Sequence, residues 1–182
     1  GLIGGSLSIA LQEKGLATHV IGVENNPAHA AKAIELGLIH ECLPLESAIQ
    51  KSSVIIIATP INAAENVLPI ILDKVSNQVV FDVGSTKSKI VEVVKDHPNR
   101  GRFVATHPMW GTENSGPTAA IKGAFSKKAT VICDKVHSDQ DALEMVEKIY
   151  GLLEMHILYM ESTAHDMHVA YISHISHITS FA

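Results

Sequence analysis

Three short runs of apolar, mostly β-branched residues recur in the first half of the chain, at residues 18–24, 53–58 and 78–83. Two segments with helical spacing, residues 27–36 and 63–75, separate these runs. Short apolar runs without alternation are typical of strands that are buried on both faces, as in parallel sheets. The order strand, helix, strand, helix therefore predicts an α/β fold with a doubly wound, mainly parallel sheet, and the right-handed crossover rule favours a Rossmann-like arrangement.

The second half of the chain continues this pattern. Residues 102–105, 129–132 and 155–158 have the composition of further strands, which would extend the sheet on its far side. We expect Ser138 to be the N-cap of a helix over residues 139–150. Within the earlier helical segment, we expect Pro69 to kink or divide the helix.

A different pattern begins at Glu161. From this residue onward apolar side chains recur at helical spacing, at Val169, Ile172, Ile175 and Ile178. This spacing predicts the first helix of an all-α domain. We therefore place a domain boundary near Met160, with a nucleotide-binding domain over residues 1–160 and the start of a helical domain over residues 161–182.

The composition excludes several classes of function. Hydrophobic residues make up 46% of the chain and charged residues 18%, which is typical of a folded domain rich in aliphatic residues. The net charge is −5 and the basic residues are scattered, so we expect neither a nucleic-acid partner nor binding to an anionic membrane. The longest apolar run, residues 54–58, is too short to span a bilayer. Cys42 and Cys133 lack metal-type spacing, and we interpret them as reduced thiols of a cytoplasmic protein.

The chain begins with a glycine-rich segment, Gly1-Leu2-Ile3-Gly4, which matches the last four positions of the G-x-G-x-x-G pattern of dinucleotide-binding turns, with the first glycine and the first strand missing. In such a turn Gly1 lets the backbone approach the pyrophosphate, and Gly4 lets the helix pack on the strand. Glu24 ends the next predicted strand 20 residues after Gly4, where an acidic side chain binds the ribose hydroxyls and disfavours a 2′-phosphate. The pattern therefore predicts binding of NAD rather than NADP. The alternative is an ordinary helix start followed by a surface glutamate.

Candidate polar residues follow three of the predicted strands, at the sheet edge where ligands of parallel sheets bind. Thr59 and Pro60 would border the cofactor, although a plain strand-to-helix turn with Pro60 at the first helical position explains them equally well. Ser85 follows the next strand, but serine is also a common helix N-cap. His107 follows the strand after that, in a turn stiffened by Pro108, and a single loop histidine is more often structural.

Several blocks in this order make the chain resemble the prephenate and arogenate dehydrogenases of tyrosine biosynthesis. The most specific are DVGSTK at residues 82–87 and HPMWGTE at residues 107–113, and the resemblance continues through HDMHVAYISHISH at residues 165–177. The resemblance implies an oxidative decarboxylation in which hydride passes from the substrate's hydroxyl-bearing ring carbon to NAD. It further implies that His107 accepts the hydroxyl proton and that Ser85 fixes the imidazole tautomer and touches the hydroxyl. Activity is then expected to fall as His107 becomes protonated.

The resemblance also implies the substrate contacts. It assigns a place in the substrate pocket to four residues, Glu113, Ser173, His174 and His177. Trp110 stands where many family members have a small residue, and Ser176 stands where they often have proline. His165-Asp166 matches a family His-Asp pair that we interpret as a structural or domain contact.

The resemblance implies a homodimer formed through the helical domain. A substrate-binding arginine of that domain is expected beyond Ala182, and we interpret the chain as a fragment.

Three other hypotheses remain open from the sequence. The histidine-rich helix could bind a metal, but zinc needs a third and usually a fourth ligand in suitable geometry, and we expect no metal. A different Rossmann hydroxyacid dehydrogenase would need a catalytic lysine on the last helix, and residues 161–182 contain none. A nicotinamide-binding regulatory module without turnover is the third. The choice between prephenate and arogenate also stays open.

Overall fold

The computed structural model describes residues 1–171. The helices are α1 (Leu2–Glu13), α2 (Pro27–Glu35), α3 (Leu45–Lys51), α4 (Ile61–Leu72), α5 (Ser88–Glu92), α6 (Gln140–Leu152) and α7 (Ser162–Val169). The strands are β1 (Ile21–Gly22), β2 (Glu41–Cys42), β3 (Val54–Ile57), β4 (Val79–Asp82), β5 (Phe103–Pro108), β6 (Ala129–Cys133) and β7 (His156–Met160). Each predicted strand and helix therefore has a counterpart, usually shifted by one to three residues at its ends.

The strands form a small and a large sheet. β1 and β2 pair in parallel, and the five remaining strands follow the order β3-β4-β5-β6-β7. All pairs of the large sheet are parallel except β5 with β6, which is antiparallel. The prediction of a Rossmann-like, mainly parallel α/β fold is confirmed, and β5 to β7 extend the sheet on its far side as expected.

Helices cover both faces of the large sheet. Residues that are neighbours along a strand point to opposite faces and pack against different helices. Phe81 of β4 packs with Leu7 of α1 and Tyr150 of α6. Val80, the preceding residue of the same strand, packs with Leu68 of α4 on the opposite face. This burial on both faces explains why the strands read as uninterrupted apolar runs in the sequence.

Pro69 does not divide its helix. α4 is continuous from Ile61 to Leu72, and Pro69 lies in its last turn. The proline removes a single helical hydrogen bond there, and the flanking Leu68 and Ile71 are buried in the core. The expectation that Pro69 divides the helix was wrong, because tertiary packing offsets the cost of one lost hydrogen bond, and a kink at Pro69 stays a prediction.

Ser138 is not the cap of the helix that follows it. α6 begins at Gln140 with Asp139 in the N-cap position. The Ser138 hydroxyl instead donates a hydrogen bond to the Phe103 carbonyl oxygen at 2.9 Å. The sequence signal for an N-cap serine was therefore wrong by one residue, because a contact with the start of β5 takes the hydroxyl.

The segment after the sheet turns back onto it. β7 ends at Met160 and α7 begins at Ser162, whose backbone amide donates to Asp134 Oδ1 at 2.9 Å. The proposed boundary between residues 1–160 and 161–182 stays a prediction. Ile172, Ile175 and Ile178 lie outside the described residues. In the described part of the chain, none of the helices has the length and hydropathy needed to cross a membrane.

Candidate active site

A buried ion pair braces the loop between β4 and α5. Lys87 Nζ donates to Asp82 Oδ2, and both side chains are almost completely buried. Lys87 Nζ also donates to the Thr106 carbonyl oxygen at 2.8 Å, and Asp82 Oδ2 accepts the Gly84 amide at 2.9 Å. A Cβ atom on Gly84 would lie 3.0 Å from Asp82 Oδ2, so a side chain there is disfavoured. The DVGSTK block thus fixes the end of β4 to the end of β5.

Ser85 lies exposed on this loop, and the structure does not use it as a helix cap. α5 begins at Ser88 with Lys87 in the N-cap position, so the interpretation of Ser85 as an N-cap was wrong. Ser85 instead lines the same pocket as His107. The loop of the ion pair therefore presents Ser85 at the sheet edge beside that histidine.

His107 lies inside a strand and not in the turn that the sequence indicated. β5 continues through Pro108, because residues 105–108 pair with the antiparallel β6, where His107 faces Val131. The side chain is 9% exposed. Antiparallel pairing with β6 could not be read from the sequence, and it gives His107 a rigid backbone.

His107 is hydrogen-bonded to a second histidine from α7. Its Nδ1 lies 2.9 Å from Nε2 of His165, and the two rings meet edge to face at 77°. His165 Nδ1 in turn lies 2.8 Å from Asp166 Oδ1. The hydrogen-bond partner of His107 Nδ1 is thus His165. Ser85, which was expected to fix the imidazole tautomer, is not the partner of this nitrogen.

The carboxylate of Asp166 is held by the start of α5. Its Oδ1 accepts the Lys87 amide at 2.7 Å and its Oδ2 accepts the Ser88 amide at 2.8 Å. The interpretation of His165-Asp166 as a structural pair explains the contact with α5, but it missed the contact with His107. The sequence offers no signal for that contact, because it depends on how α7 lies across the sheet edge.

The electrostatics of the site favour a neutral imidazole. Burial, followed by the Coulombic contributions of His165 and Lys87, lowers the pKa of His107 from 6.5 to about 4, against an opposing contribution from Asp166. At neutral pH the His107 ring is therefore uncharged. A neutral imidazole is the form that accepts a proton.

A cavity of about 440 Å³ opens beside His107. Its size is within the range of small-molecule sites. The Trp110 ring packs edge to face on Phe125 at 5.5 Å and forms part of the wall. Lys128, just before β6, also lines the cavity, and no local sequence pattern marks it, because the antiparallel pairing of β6 brings it there. The lining residues are Ser85, His107, Met109, Trp110, Gly111, Lys128 and Val169.

The glycine-rich segment forms the start of a helix packed closely on the sheet. α1 begins at Leu2 with Gly1 in the N-cap position, and Leu2 is buried. A Cβ atom on Gly4 would lie 2.9 Å from the Cβ of Ala58. Ile3 packs against the core. The amides at the N-terminus of a helix attract an anion.

Glu24 lines a second cavity, of about 540 Å³. Its Oε1 accepts the Asn26 amide at 2.9 Å. The cavity lies between the ends of β1 and β2, and its lining comprises Val23, Glu24, Asn25, Cys42, Leu43, Pro44 and Leu45.

Thr59 and Pro60 form an exposed turn after β3, with Pro60 in the N-cap position of α4 and not at the first helical position. Their contact with a cofactor stays a prediction.

Four residues were expected to bind the substrate, and one of them, Glu113, lies in the part of the chain that the structure describes. Glu113 lies on an exposed loop and does not line the cavity beside His107. Ser173, His174 and His177 lie outside the described residues. Within residues 1–171 there is no cluster of three or more histidine, cysteine, aspartate or glutamate side chains able to hold a metal ion. Cys42 and Cys133 are free, and burial raises the pKa of the Cys133 thiol to about 12.

The glycine-rich start of α1, the acidic residue after β1 and the cavity at the sheet edge define a Rossmann-like nucleotide-binding domain. Comparison with known families agrees, since residues 7–159 match the family described as prephenate dehydrogenase, nucleotide-binding domain. The chain belongs to the prephenate dehydrogenase family.

Individual relatives support this membership. The chain is 30% identical to the prephenate dehydrogenase of Bacillus subtilis over 188 aligned positions. The alignment covers 99% of this chain and 50% of the relative. The chain thus spans about half the length of that relative.

Two solved structures resemble the fold closely. The prephenate dehydrogenase of A. aeolicus, in complex with hydroxyphenyl propionate and NAD⁺, superposes with a TM-score of 0.90 at 24% identity, over 99% of this chain and 64% of that chain. The arogenate dehydrogenase of Synechocystis superposes with a TM-score of 0.82 at 28% identity, over 95% of this chain and 61% of that chain. The first comparison bears on the fold alone.

Proposed function

We propose that the protein is an NAD-dependent prephenate dehydrogenase that converts prephenate to 4-hydroxyphenylpyruvate in tyrosine biosynthesis. The observation that carries this proposal is His107, a buried and neutral base at the wall of a substrate-sized cavity. Family membership supplies the reaction class, and the site supplies the group that the reaction needs.

NAD is the proposed cofactor, with its pyrophosphate at Gly1, Leu2, Ile3 and Gly4. The close packing of Gly4 on Ala58, which directs the start of α1, supports the fit. Glu24 would accept hydrogen bonds from the ribose hydroxyls, and its charge would repel a 2′-phosphate. Thr59 and Pro60 would border the cofactor. When bound, NAD accepts the hydride of the reaction.

The proton-accepting role belongs to His107 in this proposal. As hydride leaves the ring carbon, the hydroxyl on that carbon becomes a carbonyl and its proton passes to His107 Nε2. The bond to the ring carboxylate then breaks, carbon dioxide leaves, and the electron pair returns through the ring to the oxygen. That oxygen takes the proton back as the phenol forms, so the reaction releases no net proton. Ser85 would touch the same hydroxyl.

Four further residues complete the proposed site. Glu113, Ser173, His174 and His177 would bind the substrate, and the support for them is the family resemblance of their sequence blocks. Glu113 is exposed in the described structure, so its part requires the loop of residues 111–116 to approach the cavity. A homodimer through the helical domain and a cytoplasmic location are proposed on the same resemblance.

Arogenate is the second candidate substrate. The specific observation in its favour is the structural similarity to an arogenate dehydrogenase at 28% identity. The two substrates differ in the side chain, which carries an amine in arogenate and a keto group in prephenate. Residues outside the described part are expected to contact that group.

The test measures nicotinamide reduction by the full-length gene product with prephenate or arogenate and with NAD or NADP. We expect turnover with NAD, a higher kcat/KM for prephenate, and weak use of NADP. Turnover of arogenate alone would replace the proposed substrate by the second candidate. Tight NAD binding without turnover of either compound would contradict the enzymatic proposal and favour a different hydroxyacid dehydrogenase or a nicotinamide-sensing module.

A further inference from the structure

We propose that His165 and Asp166 are positioning residues that hold His107 in the tautomer with a protonated Nδ1 and an unprotonated Nε2. The inference rests on the proposed function for the reaction itself, but the tautomer can be measured without turnover. It gives the buried His-Asp pair of α7 a role in the chemistry.

The direction of the hydrogen bonds begins with Asp166. Burial alone would raise the pKa of this carboxyl, but hydrogen bonds from Ser88, His165 and the Lys87 amide lower it below its usual value. The carboxyl is therefore an anion at neutral pH and only accepts hydrogen bonds. Two backbone amides fix its position, at 2.7 Å and 2.8 Å.

An accepting carboxylate sets both histidines in turn. His165 must donate from Nδ1 to Asp166, which in a neutral ring leaves a lone pair on His165 Nε2. That lone pair accepts a hydrogen bond, so His107 must donate from Nδ1. A neutral His107 then carries its lone pair on Nε2, on the side of the ring away from His165. This is the nitrogen that takes the substrate proton in the proposed reaction.

The chain of three side chains is rigid because its members come from different elements that are packed together. His107 belongs to β5, His165 and Asp166 belong to α7, and the amides that hold Asp166 belong to the start of α5. His165 is 1% exposed, so water does not compete for its hydrogen bonds. The charged and titratable groups that act on His107 are His165, Lys87 and Asp166.

The same chain stabilises the transient charge on His107. Proton transfer would convert a buried neutral ring to an imidazolium, which is costly without a counter-charge. Asp166 supplies a negative charge through His165, in the manner by which a buried aspartate supports the histidine of a catalytic triad. Because the proton returns to the product, no proton has to leave along this chain.

The first test needs no variant and no substrate. The protonation of the two His107 nitrogens is measured by NMR on full-length protein labelled with ¹⁵N-histidine, with the signals assigned from the spectrum of His107→Asn. We expect a protonated Nδ1 and an unprotonated Nε2 at neutral pH. The opposite tautomer in the native protein would overturn the proposal outright.

The second test is Asp166→Ala. The variant removes the acceptor of the His165 Nδ1 proton, so the tautomers of His165 and His107 are no longer fixed. We expect NMR to show a mixture of His107 tautomers and kcat to fall by about 10²- to 10⁴-fold, with NAD affinity unchanged. The control is Asp73→Ala, which removes a comparable pair, Asp73 with His97 at 3.1 Å, outside the cavity and should leave kcat unchanged.

A third comparison separates hydrogen bonding from packing. In His165→Gln the side-chain carbonyl can still accept from His107 Nδ1, whereas in His165→Phe it cannot. We expect His165→Gln to retain more kcat than His165→Phe. Equal kcat in both variants, or an Asp166→Ala variant with a native tautomer and native kcat, would overturn the proposal. If the native enzyme turns over neither prephenate nor arogenate, the proposed function fails while the NMR result still decides the tautomer.

Discussion

His107 Nδ1 lies 2.9 Å from His165 Nε2, although 58 residues separate the two histidines in the chain. The contact joins the end of β5 to the first turn of α7. It determines which nitrogen of His107 can accept a proton, and through Asp166 it connects that choice to the start of α5. The chemistry of the site therefore depends on how α7 packs, as well as on the strand that carries the base.

The low pKa of His107 predicts a wide pH range of activity. Burial and the Coulombic contributions of His165 and Lys87 lower this pKa to about 4, so the ring stays unprotonated well below neutral pH. We expect log kcat/KM to show no loss from titration of His107 near pH 6.5 and to fall only as the pH approaches about 4. Initial rates in overlapping buffers measure this profile. A decline centred on the ordinary pKa of histidine would contradict the described environment.

The same pKa predicts a loss of stability in acid. The folded state holds His107 neutral down to about pH 4, whereas the unfolded chain protonates it below about 6.5, so the unfolded state binds more protons between these values. The stabilising contribution of the neutral ring is present above pH 6.5 and is lost as the pH falls to 4. At about 1.4 kcal/mol for each pKa unit, the loss is about 3 kcal/mol.

Urea unfolding at several pH values tests this loss. The His107→Asn variant should lose less free energy of unfolding between pH 6.5 and 4 than the native protein does. Replacement of the exposed His29 by asparagine is the matched control and should leave the pH dependence unchanged. Identical acid sensitivity in all three proteins would exclude His107 as the source.

Lys87 is predicted to be essential for stability. In Lys87→Met the carboxylate of Asp82, which is 1% exposed, loses its counter-charge. Breaking a buried pair in this way costs about 3–5 kcal/mol. The control is Lys14→Met, which removes an exposed ion pair with Glu154 and should cost less than about 1 kcal/mol. A Lys87→Met variant as stable as the control would show that Asp82 finds another partner.

Gly4 is predicted to control cofactor binding through the position of α1. In Gly4→Ala the new methyl would approach Ala58 Cβ to 2.9 Å, so α1 must shift away from the sheet. With a cost of about 1–3 kcal/mol for such overpacking, we expect the Kd for NAD to rise by about 5- to 100-fold. In Gly151→Ala the methyl meets no atom within 4 Å, so this control should bind NAD normally. Titration calorimetry measures the Kd for NAD of both variants. Equal Kd values would contradict a role of Gly4 in cofactor binding.

The local pattern of the sequence predicted the fold because it reports what each residue is buried against. Uninterrupted apolar runs such as residues 78–83 indicated strands covered on both faces, and all four residues of β4 are buried. The glycine-rich start likewise indicated a helix packed closely on the sheet, which the approach of Gly4 to Ala58 reproduces.

Contacts between distant parts of the chain were not predictable in this way. The antiparallel pairing of β6 extends β5 through His107 and brings Lys128 to the cavity, yet no local pattern reports strand direction. The contact of His107 with His165 depends on the path of α7. The expectations that Ser138 caps a helix and that Pro69 divides one were wrong, because tertiary contacts override the local preference of each residue.

The most direct test of the central claim is the kcat of the full-length His107→Asn variant, measured with saturating prephenate and NAD beside the native protein. General-base catalysis contributes about 10²- to 10⁴-fold, so we predict a loss of kcat in that range with an unchanged Kd for NAD. A variant that keeps kcat within about threefold of the native value would contradict the assignment of His107 as the proton acceptor.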